Sequence, residues 1–269
     1  MRKTKSALRY AFLIIVSFVS VFPLYWMVVS ATNANVDVIR GSLLPGGHLV
    51  ENFTNLTTKY PYFYSAMLNS FRNATILTLV SLLVCSLAGY GFEIYHSKAK
   101  DRLMGVLLLA MMIPFASIMI PLYQMFGQLG FLNSVVGFIL PTISTPFLIM
   151  MFRQSARSFP HDIIEAARLD GLNEWNIFFR MFIPTMRSTY AAAMTITFMS
   201  AWNVYLWPKI IMQTDNMLTM PMLVANTISG YVTDLGLVML AVLFTTIPTV
   251  VIFFFLQKSF AEGITGAVK

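Results

Sequence analysis

Charge is what this sequence has least of. Only 11% of its 269 residues are charged and 57% are hydrophobic, against about 25% and roughly 45–50% in ordinary soluble domains. That composition excludes a soluble globular enzyme and leaves an integral membrane protein. Cysteine is almost missing too. Cys85 stands alone inside an apolar run, which excludes an internal disulfide, a cysteine–zinc cluster and a CxxC redox centre, and reads as a small buried apolar residue. No Gly-x-x-x-x-Gly-Lys-Ser/Thr loop occurs, so the chain lacks that phosphate cradle and is not expected to hydrolyse ATP by itself. HExxH, GxSxG and a cysteine nucleophile with an organised base are absent as well, so no catalytic residue is assigned. His48, His96 and His161 fall in different loops, on both sides of the expected membrane, and read as surface histidines rather than one metal site.

What remains is apolar runs of spanning length. A bilayer core takes about 20 residues of helix, and six such segments are expected at about 11–30, 69–95, 103–123, 135–151, 189–211 and 235–257. So many spans leave no length for a second globular unit, and a single membrane domain over 1–269 is expected. The first run follows Arg2, Lys3, Lys5 and Arg9. Its apolar core exceeds the roughly 7–15 residues of a signal peptide, which favours a retained span. With six spans, both termini lie on one side. Fourteen of the 18 Lys and Arg residues then fall on that side, and only Arg40, Lys59, Arg72 and Lys209 on the other. This bias fits a positive-inside orientation, so the net charge of +7 is explained by topology and calls for no nucleic acid. Glu93, Lys209 and Asp234 lie near span ends, leaving no acid at mid-depth; this argues against a proton- or sodium-driven carrier and leaves a channel open. Pro114, Pro121, Pro141, Pro146 and Pro248 each remove a backbone donor, and together they suit bent helices around an internal cavity.

One inner loop, 153–187, gathers charge in EAARLDGLNEWNIFFRMFIP, residues 165–184. Ser158 and Pro160 supply a helix start, with Asp162 where the positive helix end favours an acid. The helix is expected to run to about Asp170, and Gly171 suits the left-handed residue that ends it. Ile163, Ala166 and Ala167 lie at helical spacing on one side, where small side chains permit a close approach, with Glu165 and Asp170 beside them. The residues alone leave two readings open: a knob that docks in a partner's groove, and a solvated connector.

The pattern of Glu165, Ala166, Ala167, Gly171, Met181, Ile183 and Pro184 resembles the EAA loop of permease subunits in bacterial ATP-binding-cassette (ABC) importers. That family prefers isoleucine and leucine where this chain has Met181 and Ile183, a departure that keeps the apolar character. The likeness extends through FPLYWMVVSATN, LLPGGHLVENF, LAGYGFEIYHSK, IPLYQMFGQLGFLNS, AWNVYLWP and QKSFAEGITGAVK. It is similar to the second permease subunit of the maltose and glycerol-3-phosphate systems. The resemblance implies an all-α, six-span type I importer bundle of the MetI-like kind in a bacterial inner membrane, with both termini cytoplasmic. It implies a coupling helix with Glu165, Ala166, Ala167, Asp170 and Gly171 in a cleft of the ATPase. It also implies a tail, 258–269, reaching that interface through Glu262, Gly263 and Gly266. The partners it implies are a second homologous permease, two cytoplasmic ATPase subunits, an extracytoplasmic sugar-binding protein and the lipid membrane. ATP and Mg belong to the ATPases, no cofactor to this chain. The implied cargo is a sugar of the di- or oligosaccharide class, moved by alternating access.

For a sugar path, Trp202, Asn203, Tyr205 and Trp207 near the outer end of the fifth span offer aromatic faces and amides. The same side chains suit an interfacial anchoring belt, whose depth they match. Asn69 and Asn73, four apart on one helical face, line a watery cavity or bond a neighbouring helix. The alternatives kept open are an ion-coupled carrier or channel acting without an ATPase, and an importer of peptide or metal cargo.

Overall fold

The computed structural model describes residues 2–229 and 233–265, and among these every regular element is helical. In chain order they are α1 (Arg2–Ala31), α2 (Asn35–Ile39), α3 (Leu49–Lys59), α4 (Phe63–Ile94), α5 (Lys98–Ala110), α6 (Phe115–Gln128), α7 (Val135–Ile139), α8 (Pro146–Ala156) and α9 (His161–Leu169). There follow α10 (Glu174–Ile177), a π-helical turn at Phe178–Phe182, α11 (Ile183–Thr185), α12 (Arg187–Asn203), α13 (Leu206–Ile211), α14 (Met220–Ile228) and α15 (Leu235–Thr265).

Among the described residues, three stretches are long and apolar enough to cross a membrane: Leu8–Ala31, Phe63–Ile94 and Leu235–Phe255. The third and fourth expected spans are not single rods. Their chain bends by 96° between α5 and α6 and by 56° between Val135–Thr142 and α8. Counting each bent pair as one span gives up to five. Both breaks have a local cause. Pro114, at the head of α6 with ψ 132, has no N–H with which to continue α5. Pro146 opens α8 behind Thr145, whose hydroxyl accepts from the Leu148 amide. The fifth expected span is interrupted as well: α12 stops at Asn203, Val204 takes an extended conformation, and α13 resumes at Leu206.

The described residues fall into two compact units, one drawn from Met1–Ala66 and Met220–Pro248, the other from Met67–Thr219 and Thr249–Lys269. In the first, a polar knot closes the end of α1. Asn33 donates from Nδ2 to the carbonyls of Val29 (3.0 Å) and Leu44 (2.9 Å), and Asn52 donates to those of Ala31 and Asn33 (3.0 Å each). The bonds to Val29 and Ala31 satisfy orphan carbonyls in the last turn of α1, and those to Leu44 and Asn33 tie down the chain beyond it. Gly236 passes so close that a Cβ there would lie 2.5 Å from the Asn33 carbonyl oxygen. Phe63 and Phe244 meet edge to face nearby, 5.2 Å between centroids.

In the second unit α4 crosses α8 at Gly89, where a Cβ would sit 2.6 Å from that of Phe152. Ser81 donates to the Ile143 carbonyl at 2.7 Å, satisfying the bend before α8. Buried Cys85 packs with Leu82, Leu148, Ile149 and Phe152, as a small apolar residue should. A second core gathers Tyr90, Ala156, Phe159, Ile164, Ala167, Ile177, Phe178, Phe182 and Met186. It seats the loop that follows α8, each fully buried aromatic contributing about 1.5–3 kcal/mol.

Candidate functional site

Helix α9 is amphipathic because its apolar residues fall three apart. Ile164 and Ala167 are buried in the Tyr90–Phe182 core, with Leu172 packed against it. Ile163, Glu165, Ala166, Leu169 and Asp170 lie on the exposed side, Leu169 being 89% exposed. Ala167, at 2%, therefore faces this chain's own interior, so Ile163, Ala166 and Ala167 do not share one free face as expected.

Gly171 ends the helix as expected, at φ 79°. Its amide donates to the Arg168 carbonyl and the Leu172 amide to that of Ala167, both at 3.0 Å, the paired bonds of a Schellman cap. At the other end the expectation needs correction. The N-cap position is Pro160, with no side-chain cap, and the Ser158 hydroxyl turns back to the Ser155 carbonyl at 2.7 Å. Asp162 does sit in the first turn.

The second half of the loop is tied to the first by charge. Arg168 meets Glu174 at 2.7 Å, and its guanidinium lies 6.0 Å from the Tyr95 ring centroid. Arg168 first, and the Tyr95 hydroxyl next, hold the Glu174 carboxyl below the usual glutamate range; Glu174 in turn raises Arg168. Asn173 caps α10 by accepting from the Asn176 amide at 2.9 Å. Trp175 and Phe179 stack on each other on an exposed side, with centroids 6.2 Å apart.

A buried cation anchors α8 at the head of this loop. Arg153, with a side chain only 4% exposed, binds Glu93 at the end of α4 at 3.1 Å and Asp101 in the first turn of α5. Arg157 joins Glu93 at 3.3 Å, and His96 joins Asp101 at 2.9 Å. Sequence reading missed this cluster because its arginines were absorbed into the topological charge count. The signal available was a pair of acids, Glu93 and Asp101, flanking the turn between two apolar runs.

The residues read as a sugar path are not brought onto one face. Asn69 spends its amide on the carbonyls of Asn216 (2.7 Å) and Leu218 (3.0 Å). Asn73 is buried, accepting from Arg72 Nε at 3.2 Å, and its Nδ2 has no partner among the described residues. Trp202 is 1% exposed and stacked on Phe198, whereas Asn203 and Tyr205 are exposed and Trp207 donates from Nε1 to the Gly137 carbonyl at 3.0 Å. In the tail, Glu262 and Gly263 lie on α15, which runs on to Thr265. Gly266 lies outside the described residues.

Residues 86–266, more than half of the chain and including all of this loop, match the family described as binding-protein-dependent transport system inner membrane component. The chain belongs to that family. This permease is 41% identical, over 100% of its length and 98% of the relative's, to the lactose transport system permease protein of Rhizobium radiobacter. It is 30% identical to the sn-glycerol-3-phosphate transport system permease protein of Escherichia coli strain K12, covering 93% and 92% of the two chains. Against the arabinooligosaccharides transport system permease protein of Bacillus subtilis strain 168 the figures are 29%, 96% and 94%. A chain in the crystal structure of a bacterial ABC transporter involved in the import of the acidic polysaccharide alginate matches with a TM-score of 0.84, over 95% of this chain and 96% of that one. At 18% identity that likeness speaks for the fold alone. The permease is thus an all-α, multi-pass inner membrane component of an ABC importer, working with ATPase and binding-protein partners.

Proposed function

We propose that this permease carries a di- or oligosaccharide across the inner membrane by alternating access, driven through α9 by a separate ATPase. The full-length likeness to a lactose permease supports the cargo class. The observation that carries the coupling reading is the construction of α9. One side is locked into the chain's own core, while Glu165, Ala166, Leu169 and Asp170 face outward ahead of a Gly171 cap. A helix held that rigidly transmits displacement instead of absorbing it. Ala167 then acts from within, as the small residue that lets α9 sit close to the core.

In this reading residues 1–269 form one permease domain with both termini cytoplasmic, beside a second homologous permease, two ATPase subunits and an extracytoplasmic sugar-binding protein. ATP and Mg stay on the ATPases, and this chain binds no cofactor and performs no chemistry on the sugar. The tail residues Glu262, Gly263 and Gly266 make a secondary ATPase contact. Exposed Tyr205 keeps a side chain suited to a sugar path, and exposed Asn203 spends its amide on the Met199 carbonyl; buried Asn73 and Trp202 and the bonded Asn69 support the path indirectly. Transport requires that substrate affinity differ between the two access states.

The decisive comparison is between wild type and Glu165→Lys in proteoliposomes containing the complete importer. Reversing an exposed charge on the docking face is expected to cut sugar uptake per ATP hydrolysed while leaving membrane insertion intact. Normal uptake by the variant removes Glu165 from the interface. Uptake by this chain alone on an ion gradient establishes the carrier alternative instead.

A further inference from the structure

Resting on the coupling role of α9, we propose that Arg153 is a positioning residue for transport, the clasp that makes α4, α5 and α8 follow α9 as one piece. Arg153 and Ala156 lie three positions apart on α8, close to one helical turn. Ala156 shares the buried core with Ile164 and Ala167 of α9, so a push on α9 reaches α8 there. Arg153 passes it on. Its Nε holds Glu93, 60 residues earlier in sequence, and a terminal guanidinium nitrogen holds Asp101, 52 residues earlier. The guanidinium also lies 6.0 Å from the Phe92 ring centroid.

The chemistry fits a clasp better than a mere stabiliser. A buried ion cluster of this kind is often no more stable than an apolar replacement of the same volume. What it supplies is geometry, because the planar fork fixes two carboxylates from two elements at once, which a lysine ammonium serves only as a point charge. Arg157 shares Glu93 but is 48% exposed, so solvent screens it and it makes a suitable control.

The test uses the complete importer in proteoliposomes, with this chain, its partner permease, ATPases and binding protein, reading sugar uptake per ATP hydrolysed. Arg153→Gln is expected to lower that ratio about tenfold, with hydrolysis per assembled complex within about twofold of wild type and Arg157→Gln near wild type. Placed on Glu93→Gln/Asp101→Asn, Arg153→Gln should add no further loss, since one contact set is already gone. If Arg153→Gln does not assemble, Arg153→Lys carries the same test. An unchanged ratio overturns the clasp, as does a parallel fall of uptake and hydrolysis, which marks a purely structural role. Wild-type uptake that needs no ATPase overturns the coupling reading itself, and is told apart because it appears without any variant.

Discussion

Gly171 stands at φ 79° with nothing within 4 Å of where a Cβ would project. Substitution there strains the backbone without any collision. Gly171→Val should cost about 1–2 kcal/mol and weaken both ATPase co-purification and uptake, whereas Gly171→Asn, whose side chain tolerates the left-handed region, should retain most of both. Leu169 and Ala167 make the opposite pair. Leu169→Asp alters an exposed position, so thermal stability should stay within about 0.5 kcal/mol while ATPase capture by the detergent-solubilised chain falls. Ala167→Leu overfills the core beneath α9 and should cost about 1–3 kcal/mol, readable as an earlier unfolding transition. Equal effects of the two on capture and on stability would refute the division of α9 into a docking side and an anchored side.

Helix α9 and the α10 segment are joined by the Arg168–Glu174 pair, and this gives the loop a pH signature. The Glu174 carboxyl is held below its ordinary value of 4.5, so the pair's contribution is complete above that pH. It is lost as pH falls through the lowered folded-state value. The difference in melting temperature between wild type and Glu174→Gln should be constant above 4.5 and shrink below it. A difference that grows on acidification contradicts the assignment. Much of this element was legible in sequence: the acid in the first turn, the end at Asp170, and the left-handed glycine all follow from local backbone rules. The phase was not. Ile163 and Ala166 differ little in kind from Ile164 and Ala167, and which pair turns inward depends on where Tyr90 arrives from distant sequence and on how Phe178 and Phe182 fold back within the same loop. The interruption after α12 had a local signal: Pro208 has no N–H to offer the Val204 carbonyl and its ring crowds that carbonyl, so the helix stops at Asn203, and Trp207 docks on the Gly137 carbonyl.

For the entire chain, apolar runs and the bias of basic residues conveyed class and expected orientation, because both express the bilayer's intolerance of charge and of unsatisfied backbone. The prolines had already pointed to bent helices, and Pro114 and Pro146 stand at the two sharp bends; the size of each bend was not legible, since a kinked and a straight helix can bury the same side chains. Orientation has a direct test. With Cys85 buried, a cysteine introduced at exposed Ala166 should react with a membrane-impermeant maleimide only from the cytoplasmic side, using inverted against right-side-out vesicles. Labelling from the outside would reverse the topology and remove the coupling role with it. The π-helical turn at Phe178–Phe182 carries one more consequence. Each residue of an ordinary helix advances the chain by about 100°, so that widened ring acts as a phase adjuster between the knob and the rod beyond it. Trimming a single amino acid from it would leave both parts well formed and aim them in different directions.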